Sequence, residues 1–267
     1  MNWIEALILG LVQGLTEFLP VSSSGHLIIG KDLLGVQVNP DAATTFEVLV
    51  HCATVLSTIF VFRDEIWKLL LGFFKFRMND ETQYILKICV SMIPVLIVGL
   101  FFKDQVKDIF GEGVVLVGGM LFVTAILLTL THFVKFKQRK EISYLGAFII
   151  GVSQAIAVLP GLSRSGTTIS TGLLLGNKKE DIARFSFLMI LVPILGEAFL
   201  QILDGDFAPE VSGIPMLALI TGFLAAFFSG LFACKVMIAL VKRSKLVYFA
   251  GYCAILGAVA LIWQLIV

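Results

Sequence analysis

Two short runs hold most of the residues able to do polar chemistry in an otherwise apolar chain. The first is Gln13-Gly-Leu-Thr-Glu17-Phe-Leu-Pro-Val-Ser22-Ser23-Ser24-Gly25-His26, and the second is Pro160-Gly-Leu-Ser163-Arg164-Ser165-Gly166-Thr167-Thr168. Gly10, Gln13, Gly14 and Glu17 recur at i, i+3, i+4 and i+7, so they share one face of a helix. Two small and two polar residues on one face of an apolar helix point into protein rather than lipid. A carboxylate at that depth is costly and marks a functional site by default; the plainer alternative is an acid buried with a basic partner. Gln13 reads either as an auxiliary to Glu17 or as an amide bonding across helices. His26 follows three hydroxyls and stands within reach of the acid. Arg164 lies in a tip rich in Gly and Ser, where packing does not explain it. Its planar fork suits a pair of phosphate oxygens, and Ser163, Ser165, Thr167 and Thr168 surround it with donors. His51, inside an apolar stretch, and His132, at the end of another, read as structural.

Both runs lead into short apolar stretches, 27–34 and 168–175. As helices, these would turn free N–H groups and positive dipole ends toward one volume. Ser22, Ser24 and Gly25 at one tip, and Ser163, Ser165, Gly166, Thr167 and Thr168 at the other, then complete an anion site suited to phosphate. Glu17 adds a base or a metal ligand, and Ser23 or His26 a nucleophile or general acid. Ser23 has the shorter path into the anion pocket, with His26 as its acid/base. Direct attack by His26 and attack by a metal-bound water remain open alternatives. A phosphate site inside a membrane protein suggests a lipid phosphate substrate.

The elements that position these residues follow from composition. Of 267 residues, 58% are hydrophobic and 15% charged, against about 45–50% and about 25% in soluble domains. The apolar stretches are continuous rather than alternating, which excludes a membrane β-barrel. An all-α polytopic membrane protein remains. A net charge of +1 gives no sign of a nucleic-acid partner, and the four cysteines (Cys52, Cys89, Cys234, Cys253) are scattered as small core residues with no CxxC pair. The N-terminus lacks a basic stretch and carries Glu5, so no cleavable leader is expected.

Apolar segments run at 3–19, 27–34, 46–62, 84–102, 113–133, 145–159, 168–175, 185–203, 214–241 and 246–267. A crossing takes roughly 20 residues, which leaves about six spans. The marginal segments 3–19 and 145–159, each followed by a polar tip and a short stub, read as two re-entrant helical hairpins. Basic residues favour cytoplasmic loops. Connections 63–83, 134–140, 176–184 and 235–245 are basic, while 204–213 carries Asp204, Asp206 and Glu210 without Lys or Arg. One arrangement satisfies both: N- and C-termini outside, the first hairpin entering from outside and the second from the cytoplasm.

The chain also repeats itself. Gly10-Leu-Val-Gln13 resembles Gly151-Val-Ser-Gln154, and Leu33-Leu34-Gly35 resembles Leu174-Leu175-Gly176. A single membrane domain, 1–267, thus divides into repeats at approximately 1–133 and 145–267. Each holds a hairpin and three spans, and an odd number inverts the second repeat relative to the first. Inverted repeats with broken helices place a polar site at the midplane. The second repeat has Val158 where the first has the acid, so the chemistry is asymmetric.

The two polar runs, together with Phe46-Glu47-Val48, closely resemble the undecaprenyl-diphosphate phosphatase family linked to bacitracin resistance, and the resemblance covers essentially the whole chain. It implies hydrolysis of undecaprenyl diphosphate to the monophosphate, which recycles the lipid carrier for peptidoglycan synthesis. It also implies a bacterial inner-membrane location with the site open to the periplasm, bacitracin competing for the substrate, and a divalent cation, Mg or Ca. The catalytic residues it implies are Glu17, Ser23, His26 and Arg164, with Glu17 also the metal ligand; a homodimer is left open. The family often has Glu at the position of Gln13, which puts a two-carboxylate metal site in question. A transporter or flippase using the same phosphate site is the second reading. Another class of membrane lipid phosphatases shares Ser-Gly-His and Ser-Arg elements, but it needs a His six residues beyond the Arg, where this chain has Ser170.

Overall fold

The computed structural model describes all residues except 37, 103–104, 106–108, 110–112, 134–140, 206, 209–211, 243–245 and 267. The basic run 134–140 therefore lies outside the described residues, as do Asp206 and Glu210. Among the described residues the fold is helical, with no strand. In chain order the helices are α1 (Trp3–Glu17), α2 (Ser23–Leu33), α3 (Pro40–Val61), α4 (Arg63–Phe73), α5 (Asp80–Phe101), α6 (Gly113–Phe133), α7 (Tyr144–Ile156), α8 (Arg164–Leu174), α9 (Lys179–Met189), α10 (Leu191–Asp204), α11 (Met216–Lys242) and α12 (Leu246–Ile266).

Local sequence explains the starts. Asn2 accepts from the amides of Ile4 and Glu5 while Glu5 accepts from the Asn2 amide, a reciprocal cap on α1. Asn39 caps α3 ahead of Pro40, Asn79 caps α5, and Ser143 caps α7. Among the described residues, six stretches are long and apolar enough to cross a membrane: Ala42–Val61, Asp80–Phe101, Gly113–Phe133, Lys179–Asp204, Met216–Val241 and Leu246–Ile266. The fourth is α9 followed by α10. Pro193 has no N–H to offer the carbonyl of Met189, which accounts for the break at Ile190.

Three boundaries differ from the sequence reading. The stub helices begin at Ser23 and Arg164, four residues earlier than the apolar stretches, because Ser22 and Ser163 act as N-caps. The basic connection 63–83 contains a helix, α4, whose Trp67, Leu70 and Leu71 are exposed. The connection 176–184 is partly absorbed into α9, and Arg184 pairs there with Glu65 at 3.1 Å.

The principal packing pairs are α1 with α11, α6 with α12, α3 with α11 and α5 with α7. Small residues permit the first. A Cβ at Gly10 would collide with the carbonyl of Gly222, and one at Gly14 with Ser229 and the carbonyl of Ala226. Such close approach is how helices associate where lipid removes the hydrophobic drive. It buries Ala6, Leu9, Gly10, Gln13, Gly14 and Glu17 on a single face of α1. Beneath the tips, Phe18, Phe185 and Phe187 form a core with Ile150 and Ile169.

Candidate active site

Glu17 is the last residue of α1 and is 8% exposed. Its Oε1 accepts from Arg164 Nη2 at 2.6 Å. Its Oε2 accepts from Ser23 Oγ at 2.6 Å and from Gln13 Nε2 at 2.8 Å. The carboxylate thus joins α1, the first turn of α2 and the first turn of α8. Gln13 reaches it because i and i+4 stack on one helical face. The structure brings Gln13, Ser23 and Arg164 together around this one acid.

Each tip is shaped by its own cap. Ser22 Oγ accepts from the Gly25 amide at 3.3 Å and Ser163 Oγ from the Gly166 amide at 3.1 Å. Ser22 holds φ 67°, a left-handed conformation that is unfavourable for a residue with a Cβ. The first-turn amides of Ser23, Ser24, Arg164 and Ser165 have no intrahelical acceptor, and the helix dipoles add positive potential beside them. The second tip is tied to its surroundings on three sides. Ser165 Oγ donates to the carbonyl of Leu19 at 3.1 Å, linking it to the first tip. The Ser163 amide donates to Thr124 Oγ1 of α6 at 3.0 Å, and Thr124 Oγ1 donates to the Gly161 carbonyl at 3.3 Å. Arg164 Nη1 donates to the Ser186 carbonyl of α9 at 3.1 Å, and Thr168 Oγ1 meets Ser186 Oγ at 2.7 Å. Ser22 and Ser24 hydroxyls lie 3.4 Å apart, and Thr167 Oγ1 is buried without a hydrogen-bond partner.

His26 is placed differently from its expected position beside the acid. Its Nδ1 lies 2.7 Å from the Ser22 carbonyl, and its Nε2 lies 2.8 Å from Tyr252 Oη on α12, with the two rings stacked at 5.7 Å. The imidazole facing Glu17 is instead that of His51, on α3, with Nε2 3.4 Å from Glu17 Oε2. The sequence reading gave His51 a structural role. The available signal was depth: an imidazole in an apolar span is exceptional in the same way as the acid. Tyr252, Thr124 and Ser186 were also missed. They are separated from their partners by long stretches of chain, and no local pattern marks them.

Chemically, the arrangement offers a serine hydroxyl hydrogen-bonded to a carboxylate, a guanidinium, and two helix N-termini. Those parts fit nucleophilic attack on phosphorus with the phosphate held by Arg164 and backbone amides. In this geometry Glu17 Oε1 and the Ser186 carbonyl take two of the five N–H donors of Arg164, which leaves others for a phosphate.

Comparison with known proteins agrees with this chemistry. Residues 6–259 match the family model described as bacitracin resistance protein BacA. The chain is 56% identical over 266 residues to the undecaprenyl-diphosphatase of Bacteroides thetaiotaomicron, covering 99% of this chain and 100% of that one. It is 56% identical over 262 residues to that of Parabacteroides distasonis, covering 98% of each. A more distant relative, the undecaprenyl-diphosphatase of Carboxydothermus hydrogenoformans, is 39% identical over 267 residues, covering 99% of this chain and 98% of that one. With caps, tips and the shared carboxylate lying inside the matched residues, the chain belongs to the bacitracin resistance protein BacA family.

Proposed function

We propose that this chain hydrolyses undecaprenyl diphosphate to undecaprenyl phosphate and inorganic phosphate at the Glu17–Ser23–Arg164 cluster, and that it thereby supports bacitracin resistance. The observation that carries the reading is the 2.6 Å hydrogen bond from Ser23 Oγ to Glu17 Oε2, beside a guanidinium 2.6 Å from the other carboxylate oxygen. Ser23 Oγ gives its proton to Glu17 as it attacks the terminal phosphorus. The bond from phosphorus to the bridging oxygen breaks, and the lipid monophosphate leaves with that proton. Water then attacks the phosphoserine, passes a proton to Glu17 and releases inorganic phosphate; the proton returns to Ser23. Arg164 and the free first-turn amides hold the phosphate oxygens. His26, fixed by Ser22 and Tyr252, flanks the tip rather than the acid. It is therefore a second-choice base.

A divalent cation fits these residues. Gln13 Oε1 is fully buried and lacks a hydrogen-bond partner on an amide already bonded to Glu17. Glu17 and Gln13 would hold the ion with substrate oxygens completing its shell, as Mg(II) sites commonly do. When bound it would neutralise charge on the phosphate oxygens. The site is read as opening to the periplasmic side of the inner membrane, with bacitracin competing for the same lipid. The exchanged pairing of α1 with α11 and of α7 with α5 supports an inverted repeat. The test is phosphate release from the lipid diphosphate by purified protein in detergent, with acid quench. Phosphate release and an acid-stable phosphoserine on the Ser23 peptide are expected. A protein that binds the lipid and releases no phosphate would instead be a carrier, and an acid-labile adduct on His26 would reassign the nucleophile.

A further inference from the structure

Helix α4 is held from one side. Ile66 and Leu69 pack against the core beneath the tips, and Glu65 accepts from Arg184 of α9 at 3.1 Å. Gly72 lies so close to the start of α5 that a Cβ there would strike the Glu81 side chain. Asn79 Nδ2 donates to the Gly72 carbonyl at 2.9 Å. The other side is an apolar stripe of Trp67, Leu70 and Leu71, continued at the C-cap by Phe74. These stand at i, i+3, i+4 and i+7, and all are exposed. α4 follows α3 without a loop and precedes α5, so it lies where two candidate spans end on one side of the membrane. The chain then reverses through Lys75, Phe76 and Arg77. Phe76 has φ 51°, a left-handed conformation that costs energy for a residue with a Cβ, and it is 87% exposed. Lys75 and Arg77 are exposed on either side of it. The nearby acids are occupied: Asp64 by Arg63 at 3.8 Å, Glu65 by Arg184 and Glu81 by Lys68 at 3.7 Å. Asp80 stands in the first turn of α5, where the helix dipole favours it. Among the described residues Lys75 and Arg77 have no ion-pair partner.

We infer that Lys75 and Arg77, together with the exposed stripe of α4, form a binding site for an anionic phospholipid. The two halves of the site match the two halves of that ligand. Trp67, Leu70, Leu71 and Phe74 lie against acyl chains, as the apolar face of an interfacial helix does, and an indole is favoured at headgroup level. Lys75 and Arg77 reach the phosphate, whose charge strengthens their hydrogen bonds. A zwitterionic headgroup brings a cation of its own to the same place and is repelled by the pair, whereas a net negative one is not. The site shares no residue with the Glu17 cluster and does not depend on the reaction proposed there.

The test uses the full chain in nanodiscs of phosphatidylcholine and phosphatidylglycerol at equal mole fractions. Trp3, Trp67 and Trp263 are changed to Phe and Phe74→Trp is added, so that a single indole stands beside Lys75. Each lipid in turn carries bromine on its acyl chains, and quenching of the indole reports which lipid sits against it. A Lys or Arg at an anionic surface is worth roughly fivefold in affinity, so the pair should enrich phosphatidylglycerol about tenfold or more over phosphatidylcholine. Lys75→Gln with Arg77→Gln should bring the two lipids to equal quenching, while Lys75→Arg with Arg77→Lys should keep the preference. Equal quenching before the cations are changed would overturn the assignment, as would a preference that survives the double Gln change. Quenching by neither lipid would mean that something other than lipid covers the stripe. A preference abolished by added inorganic phosphate would make this a soluble-anion site instead. Where Phe74→Trp does not fold, Trp67 on the same stripe serves as the single indole, with Phe74 kept. The preference before any cation is changed decides the matter even where the Gln variant does not fold.

Discussion

Replacing Arg164 separates its electrostatic role from its geometric one. The guanidinium spans two acceptors, Glu17 Oε1 at 2.6 Å and the Ser186 carbonyl at 3.1 Å, with only 13% of its side chain exposed. Arg164→Lys keeps the charge but cannot serve both acceptors, or both oxygens of a phosphate, at once. One charge-assisted hydrogen bond is worth roughly 1.5–3 kcal/mol. At about 1.4 kcal/mol per factor of ten, that predicts a loss on the order of 10–100-fold in kcat/KM for lipid diphosphate. Arg164→Ala is worse in a different way. It leaves Glu17 buried without the partner of Oε1, and breaking one side of a buried pair costs about 3–5 kcal/mol of stability. Adding Glu17→Gln to Arg164→Ala removes the uncompensated charge and should recover most of that stability while leaving the enzyme inactive. The assays are phosphate release in detergent and unfolding by titration with a denaturing detergent. Two results would refute the reasoning: a Lys variant with wild-type kinetics, or a double variant no more stable than Arg164→Ala alone.

Other positions give independent checks. Gly14→Ala puts a methyl group into Ser229 and the Ala226 carbonyl, so it should force α1 away from α11 and destabilise by about 1–3 kcal/mol, read by thermal unfolding. Tyr252→Phe keeps the stack on His26 and removes its 2.8 Å hydrogen bond; at about 0.5–1.5 kcal/mol, turnover should fall no more than about tenfold. Thr124→Val leaves the Ser163 amide and the Gly161 carbonyl without their hydroxyl; KM should rise along with a drop in thermal stability, and normal values of both would free the second tip from α6. Single cysteines at Asp204 and Lys75 should label with an impermeant reagent from opposite sides of the membrane, Asp204 from outside; labelling from one side would overturn the charge-based orientation.

The spans were legible because bilayer thickness acts on composition directly. A run of about 20 apolar residues has few other uses, and the six candidate spans among the described residues fall where those runs lie. The tips were legible as polar interruptions but not as helix starts. Ser-Ser-Ser-Gly reads as a turn by composition, yet Ser22 and Ser163 take the capping position, so Ser23 and Arg164 become first-turn residues with unpaired amides. α4 was read as connection because its charges mask its apolar face. Asp64, Glu65 and Lys68 are interleaved with Trp67, Leu70 and Leu71, a pattern that suits a helix lying at an interface better than one crossing it.

Within the site, what could be read was chemistry type, and what could not was long-range register. Glu17 and Arg164 stood out because each is expensive in lipid, and two expensive opposite charges in one membrane domain find each other. Which imidazole joins them depends on how α3 packs against α1, and nothing in the local sequence of either helix fixes that. His26 is nine residues from Glu17 and turns toward α12, whereas His51 is 34 residues away and faces the acid. The resulting ground state has a functional consequence. Both carboxylate oxygens are engaged, by donors from α1, α2 and α8, so the free site is electrostatically closed on itself. On the proposed reading, phosphate oxygens compete with Glu17 Oε1 for Arg164 while Glu17 Oε2 keeps its hydrogen bond from Ser23, so one carboxylate links the anion's guanidinium to the serine it would activate.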